Sequence, residues 1–319
     1  MVYQKFNHPS ICFWGIFNEL LVTDGKRYKA YDAPQPFVRE LHKLYKSVDP
    51  CRLTTLATCV DHQFYYGCSD LMAWNKYFRK PGNEQQVRQF YEKVRKTSHA
   101  QPLGISEYGD AGSINLHYDP LYDKAKTHAE EYQLLTHEGY WKAIKDQQWL
   151  WCKTVWQFAD MQTSIRNEGD KMGMNDKGMV TYDRKTCKDI YYFYKANWTQ
   201  KPMVYLTGRR FVNRTHAVTD VKAYGNVEKA TLFVNGEKIG TARRDEICRL
   251  VWPKVTLAEG DNHILIKTKV GSDLLCDSCT WHLHSKEMPA EIAPISAPFK
   301  MPQLRRPFFP KRKVNIKEA

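Results

Sequence analysis

The architecture of this chain turns on residues 6–20, FNHPSICFWGIFNEL. From Ile11 to Phe17 the stretch is apolar or aromatic apart from Cys12 and Gly15, and it stops on the polar pair Asn18 and Glu19. A short continuous apolar run is the pattern of a strand buried on both faces, as in a parallel sheet covered by helices. A carboxylate closing such a run is either an ordinary solvated strand end or part of a pocket. A second run closes the same way: in QPLGISEYGD, residues 101–110, Glu107 follows Ile105 and Ser106. In a parallel βα array the C-terminal strand ends all open on one face, where active sites collect. Two glutamates delivered there by separate strands can face each other.

Outward from these runs, residues 1–198 alternate short apolar segments with longer amphipathic ones, the rhythm of a βα array. The remaining strands are expected at 52–58, 71–74 and 154–158. Helices are expected at 36–47, where Phe37, Leu41, Leu44 and Val48 share a face, at 83–97, and at 124–145, with 146–151 leading into the last strand. After YYFYKANW, residues 191–198, the period changes to two in VTDVKAYGN, KATLFVNGEKIGTARR and HILIKTKV. Asn235-Gly236 between two such runs signals a two-residue hairpin, because both turn positions need positive φ. Residues 201–285 therefore read as a small β-sandwich. Residues 286–319 hold six of the 15 prolines and eight Lys or Arg against three Glu, and are expected to form an extended or disordered basic tail.

Composition excludes several function classes. With 319 residues, 42 % hydrophobic and 13 % aromatic, the chain can bury a substantial core. No run reaches the roughly 18 apolar residues of a membrane span, so no membrane partner is expected. Residues 1–20 lack the pattern of a secretory leader. The net charge of +13 is concentrated partly in the tail and has no nucleic-acid-binding motif behind it, so no nucleic-acid partner is expected. Nine cysteines are scattered, and Cys276 with Cys279 forms a lone C-x-x-C without a second pair. That reads as two thiols near a strand, and no metal-ligand set is assigned.

These segments together resemble glycoside hydrolase family 2. NHPSICFWGIFNE is similar to its acid/base segment, PLGISEYG to its nucleophile segment, and VWQFADMQTS to its eighth barrel strand. NDKGMVTYDRKTCKDIYYFYKANW is similar to the segment that closes the barrel in bacterial β-galactosidases. The four occur in the family's order across residues 1–198. The resemblance implies an α/β plus all-β chain: strands four to eight of a (β/α)₈ TIM barrel, then an Ig-like β-sandwich at 201–285. It also implies a retaining mechanism in which Glu19 is the general acid and then base, while Glu107 attacks the anomeric carbon. The two carboxyl groups are then about 5 to 5.5 Å apart. Burial and mutual repulsion are expected to keep Glu19 protonated and Glu107 ionised.

By the same resemblance Asn18 hydrogen-bonds the sugar 2-hydroxyl, Tyr77 in AWNKYF hydrogen-bonds the nucleophile, and Trp156 forms an apolar floor under the ring. The competing readings are a strand-end cap for Asn18 and core packing for Tyr77 and Trp156. His8 and Pro9 shape the strand entry. Asn175 and Lys177 in Asn175-Asp176-Lys177-Gly178 fit the Asn-x-Lys pattern with which β-glucuronidases of the family grip a substrate carboxylate, and an amide beside an ammonium suits an anion. The same four residues make an ordinary turn in most proteins. Because the flanking segment is galactosidase-like, the reading preferred from sequence is cleavage of terminal β-linked galactose, with β-glucuronidase as the alternative and a non-catalytic barrel remnant as the alternative of another class. No cofactor is needed. Glu19 lies 18 residues from Met1, too few for three preceding strands. Unpaired strand edges, self-association through the incomplete barrel and weak turnover by the isolated chain follow as expectations.

Overall fold

A computed structural model of the chain describes residues 1–20, 22–23, 26–27, 34–59, 65–98, 101–118, 128–164, 166 and 169–284. The basic tail at 286–319 and the start of the expected helix at 124–127 lie outside the described residues.

Five apolar runs form one parallel sheet: β1 (Phe13–Asn18), β2 (Leu53–Thr58), β3 (Leu71–Asn75), β4 (Leu103–Tyr108) and β5 (Leu150–Val155), hydrogen-bonded in that order. The central strand β3 is buried along its whole length, as a strand covered on both faces must be. Helix α1 (Pro34–Val48) connects β1 to β2, and α2 (Glu84–Thr97) connects β3 to β4. On α2 the buried residues Val87, Phe90, Tyr91 and Val94 recur at helical spacing and face the sheet. Helix α3 (Glu130–Ile144) follows β4, and α4 (Asp189–Trp198) closes the region, where the sequence suggested no helix.

The last strand runs over Leu150–Val155 and not over 154–158. Its register is set from inside the sheet. The Trp151 indole donates to the Met72 carbonyl at 3.1 Å and packs edge-on against Phe13, with ring centroids 5.0 Å apart. Gly104 makes room, since a Cβ there would lie 2.7 Å from Trp151 Nε1. Phe13 and Trp151 belong to the two outer strands, so the sheet curls until its edges approach at the N-terminal end, where Phe13 remains 44 % exposed. Residues 156–158 leave the sheet to bond the later loop: Gln157 N donates to Lys177 O at 3.2 Å and Val180 N to Phe158 O at 3.0 Å.

The second region is all β. Strands β6 (Val204–Leu206), β8 (Val218–Gly225) and β11 (Arg249–Thr256) form one sheet. Strands β7 (Asn213–Arg214), β13 (Asp273–Leu283), β12 (Gly260–Val270), β9 (Lys229–Val234) and β10 (Glu237–Arg243) form the other, in that order. Val221, Leu232, Leu250, Trp252, Ile264, Ile266 and Trp281 fill the space between. The β9–β10 hairpin turns on Asn235 (φ 51°) and Gly236 (φ 86°), as its dipeptide requires. Cys276 and Cys279 sit three apart on β13, one exposed and one half-buried, so they point to opposite faces.

Helix α3 joins the two regions. It is buried on nearly all sides, and its Glu138 carboxylate, 3 % exposed, accepts hydrogen bonds from Lys222 Nζ (2.6 Å), Tyr224 OH (2.5 Å) and Arg249 Nη1 (2.8 Å). Burial alone would raise this carboxyl's pKa, but Lys222 and Arg249 hold it below the usual range. The residue before Glu138, His137, is fully buried: Asp110 N donates to its Nε2 at 3.0 Å, and its Nδ1 donates to Tyr194 OH at 2.8 Å. Burial pushes this imidazole down to about 3. The unfolded chain therefore takes up a proton near pH 6.5 that the folded chain refuses until about pH 3, and stability falls as pH drops through that window, by at most about 1.4 kcal/mol per pH unit from this group. Urea midpoints measured between pH 6.5 and 5 should show this slope in the wild type and a reduced slope in His137→Gln.

Candidate active site

The candidate site lies at the C-terminal ends of β1, β3 and β4, where register slips re-aim side chains. Slips fall between Gly15 and Asn18 on β1, between Trp74 and Asn75 on β3, and between Ile105 and Tyr108 on β4. Bulges of this kind are common beside active sites. Glu19 follows β1 with φ at 50°, a conformation that costs a non-glycine residue on the order of 1 kcal/mol, and its N–H donates to Ala57 O at 3.0 Å. The strained turn brings the carboxylate back over the neighbouring strand ends.

Glu19 and Glu107 are held by the end of β3, the strand that carries neither. Asn75 is 2 % exposed; its Nδ2 donates to Asn18 Oδ1 at 2.8 Å and to Glu19 Oε1 at 3.0 Å. Its Oδ1 accepts from Ser106 Oγ at 2.6 Å. Two residues on, Tyr77 OH donates to Glu107 Oε2 at 2.6 Å. Lys177, 3 % exposed, places Nζ 5.7 Å from the Tyr77 ring centroid. Burial, and then the charge of Glu19, raise the Glu107 pKa; Tyr77, Lys177 and Asn75 act the other way without cancelling the rise. The direction works against the ionised form that the sequence reading expects for Glu107. Its carboxyl is desolvated, and the neutral donors around it offset only part of that cost.

The loops that carry the rest of the pocket are pinned by a buried cation. Lys188 has no exposed surface and donates through Nζ to Gly112 O (2.6 Å), Asp176 O (2.9 Å) and Asp160 Oδ1 (2.7 Å). Asp160 Oδ1 also accepts from Gly178 N at 2.8 Å. Only glycine fits at 178, because a Cβ there would meet Asp160 N at 2.1 Å. Asp176 Oδ2 pairs with buried His128 at 2.7 Å, which fixes the far side of the same turn.

Glu19, Glu107, Asn18 and Tyr77 thus share one hydrogen-bonded cluster, with Lys177 beside it. Asn175 is buried in the adjoining turn, and its Oδ1 accepts from Lys177 N at 3.3 Å, so the segment serves as a turn while it aims the lysine. Trp156 is half-buried just past β5 and is tied to β4 by its N–H to Tyr108 O at 2.9 Å. Asn75, Ser106, Asp160 and Lys188 went unnoticed in the sequence. Asn75 carries the signal that picked out both glutamates, a polar residue closing an apolar run. Among the described residues no group of three His, Cys, Asp or Glu is placed to hold a metal ion. A separate cleft of about 570 Å³ lies between α3 and the sandwich, lined by Leu134, Glu138, Phe211, Arg214 and Trp281 among others. It shares none of the residues around the carboxylates.

Comparison with known proteins agrees with this layout. The profile for "Glycosyl hydrolases family 2, TIM barrel domain" matches residues 1–201, and a domain of unknown function matches residues 216–269. A β-glucuronidase from Bacteroides fragilis is 38 % identical over 285 residues, covering 88 % of this chain and 40 % of that protein. The crystal structure of an FMN-binding β-glucuronidase from Faecalibacterium prausnitzii L2-6 superposes with a TM-score of 0.81 at 34 % identity, over 92 % of this chain and 44 % of that one. A protein from Bacteroides fragilis described as a candidate β-galactosidase gives a TM-score of 0.80 at 30 % identity, over 88 % of this chain and 42 % of that one. The chain therefore spans less than half the length of these relatives.

The pinning by Lys188 can be tested by replacement. Lys188→Met leaves Asp160 buried and unpaired and should cost about 3 to 5 kcal/mol of unfolding free energy. Adding Asp160→Asn to that variant should recover part of the loss in the same denaturation measurement.

Proposed function

This chain belongs to glycoside hydrolase family 2, and on that premise we propose that it carries the acid/base and the nucleophile of a retaining hydrolase of β-glucuronides. Glu19 donates its proton to the glycosidic oxygen while Glu107 attacks the anomeric carbon, giving a glycosyl ester on Glu107 and releasing the aglycone. Glu19, now a carboxylate, takes a proton from water, which attacks the same carbon and frees Glu107. Tyr77 holds Glu107 Oε2 in line and stabilises its charged form before attack. Asn18 meets the sugar 2-hydroxyl, and Trp156 floors the ring. The β-sandwich that follows the barrel strands is read as an Ig-like module, which supports the barrel through α3.

The observation that carries the glucuronide reading is the setting of Lys177. It is a buried ammonium next to Tyr77 and Glu107, preceded two residues earlier by the amide of Asn175. A substrate carboxylate is a charged acceptor for such an ammonium, and the hydroxymethyl group of galactose is not. The names of the relatives lean the same way, as two of the three reported above are β-glucuronidases. This reverses the order favoured by the sequence alone, where the flanking segment weighed toward galactose. The galactoside reading keeps one supporting observation, the candidate β-galactosidase among the structural neighbours.

Turnover of 4-nitrophenyl β-glucuronide and β-galactoside by the purified protein separates the two. Glucuronide should be preferred, and Glu107→Gln should abolish its hydrolysis. Lys177→Ala should lower kcat/KM for the glucuronide by roughly 10- to 100-fold more than for the galactoside, the worth of one charged hydrogen bond, because its effect on Glu107 is common to both substrates. A galactoside preference indifferent to Lys177, or no turnover of either substrate, would count against the proposal.

A further inference from the structure

We propose that Asn75 positions the acid/base by occupying Oε1 of Glu19, which leaves Oε2 as the oxygen that carries the catalytic proton. The inference deepens the retaining-hydrolase reading and rests on it for the roles of the two glutamates.

The geometry allows Asn75 little choice. Its side chain is buried, so water cannot satisfy its amide hydrogens, and buried polar groups left without partners are costly. Both atoms facing its Nδ2, Asn18 Oδ1 and Glu19 Oε1, are acceptors, which puts the NH₂ end of the amide toward them. The other end is fixed by Ser106, whose hydroxyl donates to Oδ1. Ser106 immediately precedes Glu107 on β4, and Lys76, next to Asn75, donates its backbone N–H to Glu107 O at 2.9 Å. The amide plane is therefore referenced to the nucleophile strand while its hydrogens reach the acid/base. An N–H aimed at Oε1 is met better by a carbonyl oxygen than by a hydroxyl, which favours Oε2 as the oxygen that carries the transferable proton of Glu19. The same contact holds Asn18 by its Oδ1, which turns the Asn18 Nδ2 outward as a donor, the polarity that a sugar hydroxyl oxygen needs. Neither contact requires Asn75 to touch substrate, so it is a positioning residue.

A positioning role for the acid predicts a dependence on the leaving group. Asn75→Ala should lower kcat/KM at least tenfold more for phenyl β-glucuronide, whose leaving group must be protonated, than for 2,4-dinitrophenyl β-glucuronide, whose leaving group departs unaided. Asn75→His, which keeps an N–H donor, should recover part of the loss. Equal losses on both substrates would overturn the proposal. A second readout needs neither turnover nor a folded Asn75 variant: the side-chain amide resonance of Asn75 in the ¹⁵N-labelled chain, followed against pH. Glu107, Tyr77, Lys177, Lys76 and Cys59 also surround this pair, so the titration is repeated in Glu19→Gln and Glu107→Gln. A pH step that disappears in Glu19→Gln and survives in Glu107→Gln supports the contact. A profile unchanged in Glu19→Gln overturns it. If neither glucuronide is hydrolysed by the wild type, the functional reading falls, and the amide titration still decides whether Asn75 engages Glu19.

Discussion

A lysine with no exposed surface holds this site together. Lys188 enters from the segment just before α4 and satisfies two backbone carbonyls and one carboxylate, drawn from the loop after β4, the turn that carries Asn175 and Lys177, and the loop after Trp156. A buried ammonium is tolerated only when every donor has a partner, so these loops cannot separate without leaving a charge in low dielectric. Asp160 relays the constraint to Gly178, where the backbones approach too closely for any side chain. The position of Lys177 over Tyr77 is thus a consequence of packing and electrostatics on the far side of the turn, and mobile surface contacts play no part in it.

Within that frame the two glutamates are managed by neutral groups. The end of β3 and the turn after it contribute Asn75, which donates to Glu19, and Tyr77, which donates to Glu107, while the strained turn at Glu19 and the slips in register bring the carboxylates to them. Neutral donors direct each carboxylate without fixing its charge as strongly as an arginine would. Burial still raises Glu107, and the reading assigns part of the offset to Lys177, so the residue that would recognise the substrate also tunes the nucleophile. Helix α3 carries the load between the regions: His137 braces the loop after Glu107, and Glu138 anchors the sandwich through Lys222, Tyr224 and Arg249.

Much of this was legible in the sequence, for reasons that can be stated. Four of the five strands follow from their apolar runs, but the face expected for α1 does not hold: Phe37 and Leu44 are 52 % and 42 % exposed, and Val38, Leu41 and Tyr45 face the core instead. The fifth strand was misplaced because VWQF looks more strand-like than LWCK, and only the curl of the sheet brings Trp151 against Phe13. The glutamates, Asn18 and Tyr77 were found because each closes a run or stands in a motif. Asn75 closes a run just as visibly but has no charge to attract notice. Lys188 was hidden by its setting: in DRKTCKD it looks like one of several solvated charges, and burial cannot be read from a charged stretch. Substrate class was misweighted for a related reason, since the meaning of Lys177 lies in its burial.

The central claim is that Glu107 is the nucleophile of a β-glucuronide hydrolase. The most direct measurement is peptide mapping by mass spectrometry after incubation with 2-deoxy-2-fluoro-β-glucuronyl fluoride, a substrate analogue that forms the glycosyl ester and slows its release. The account predicts one adduct, on the peptide bearing Glu107. An adduct on another residue, or labelling only by the corresponding galactosyl fluoride, would contradict it.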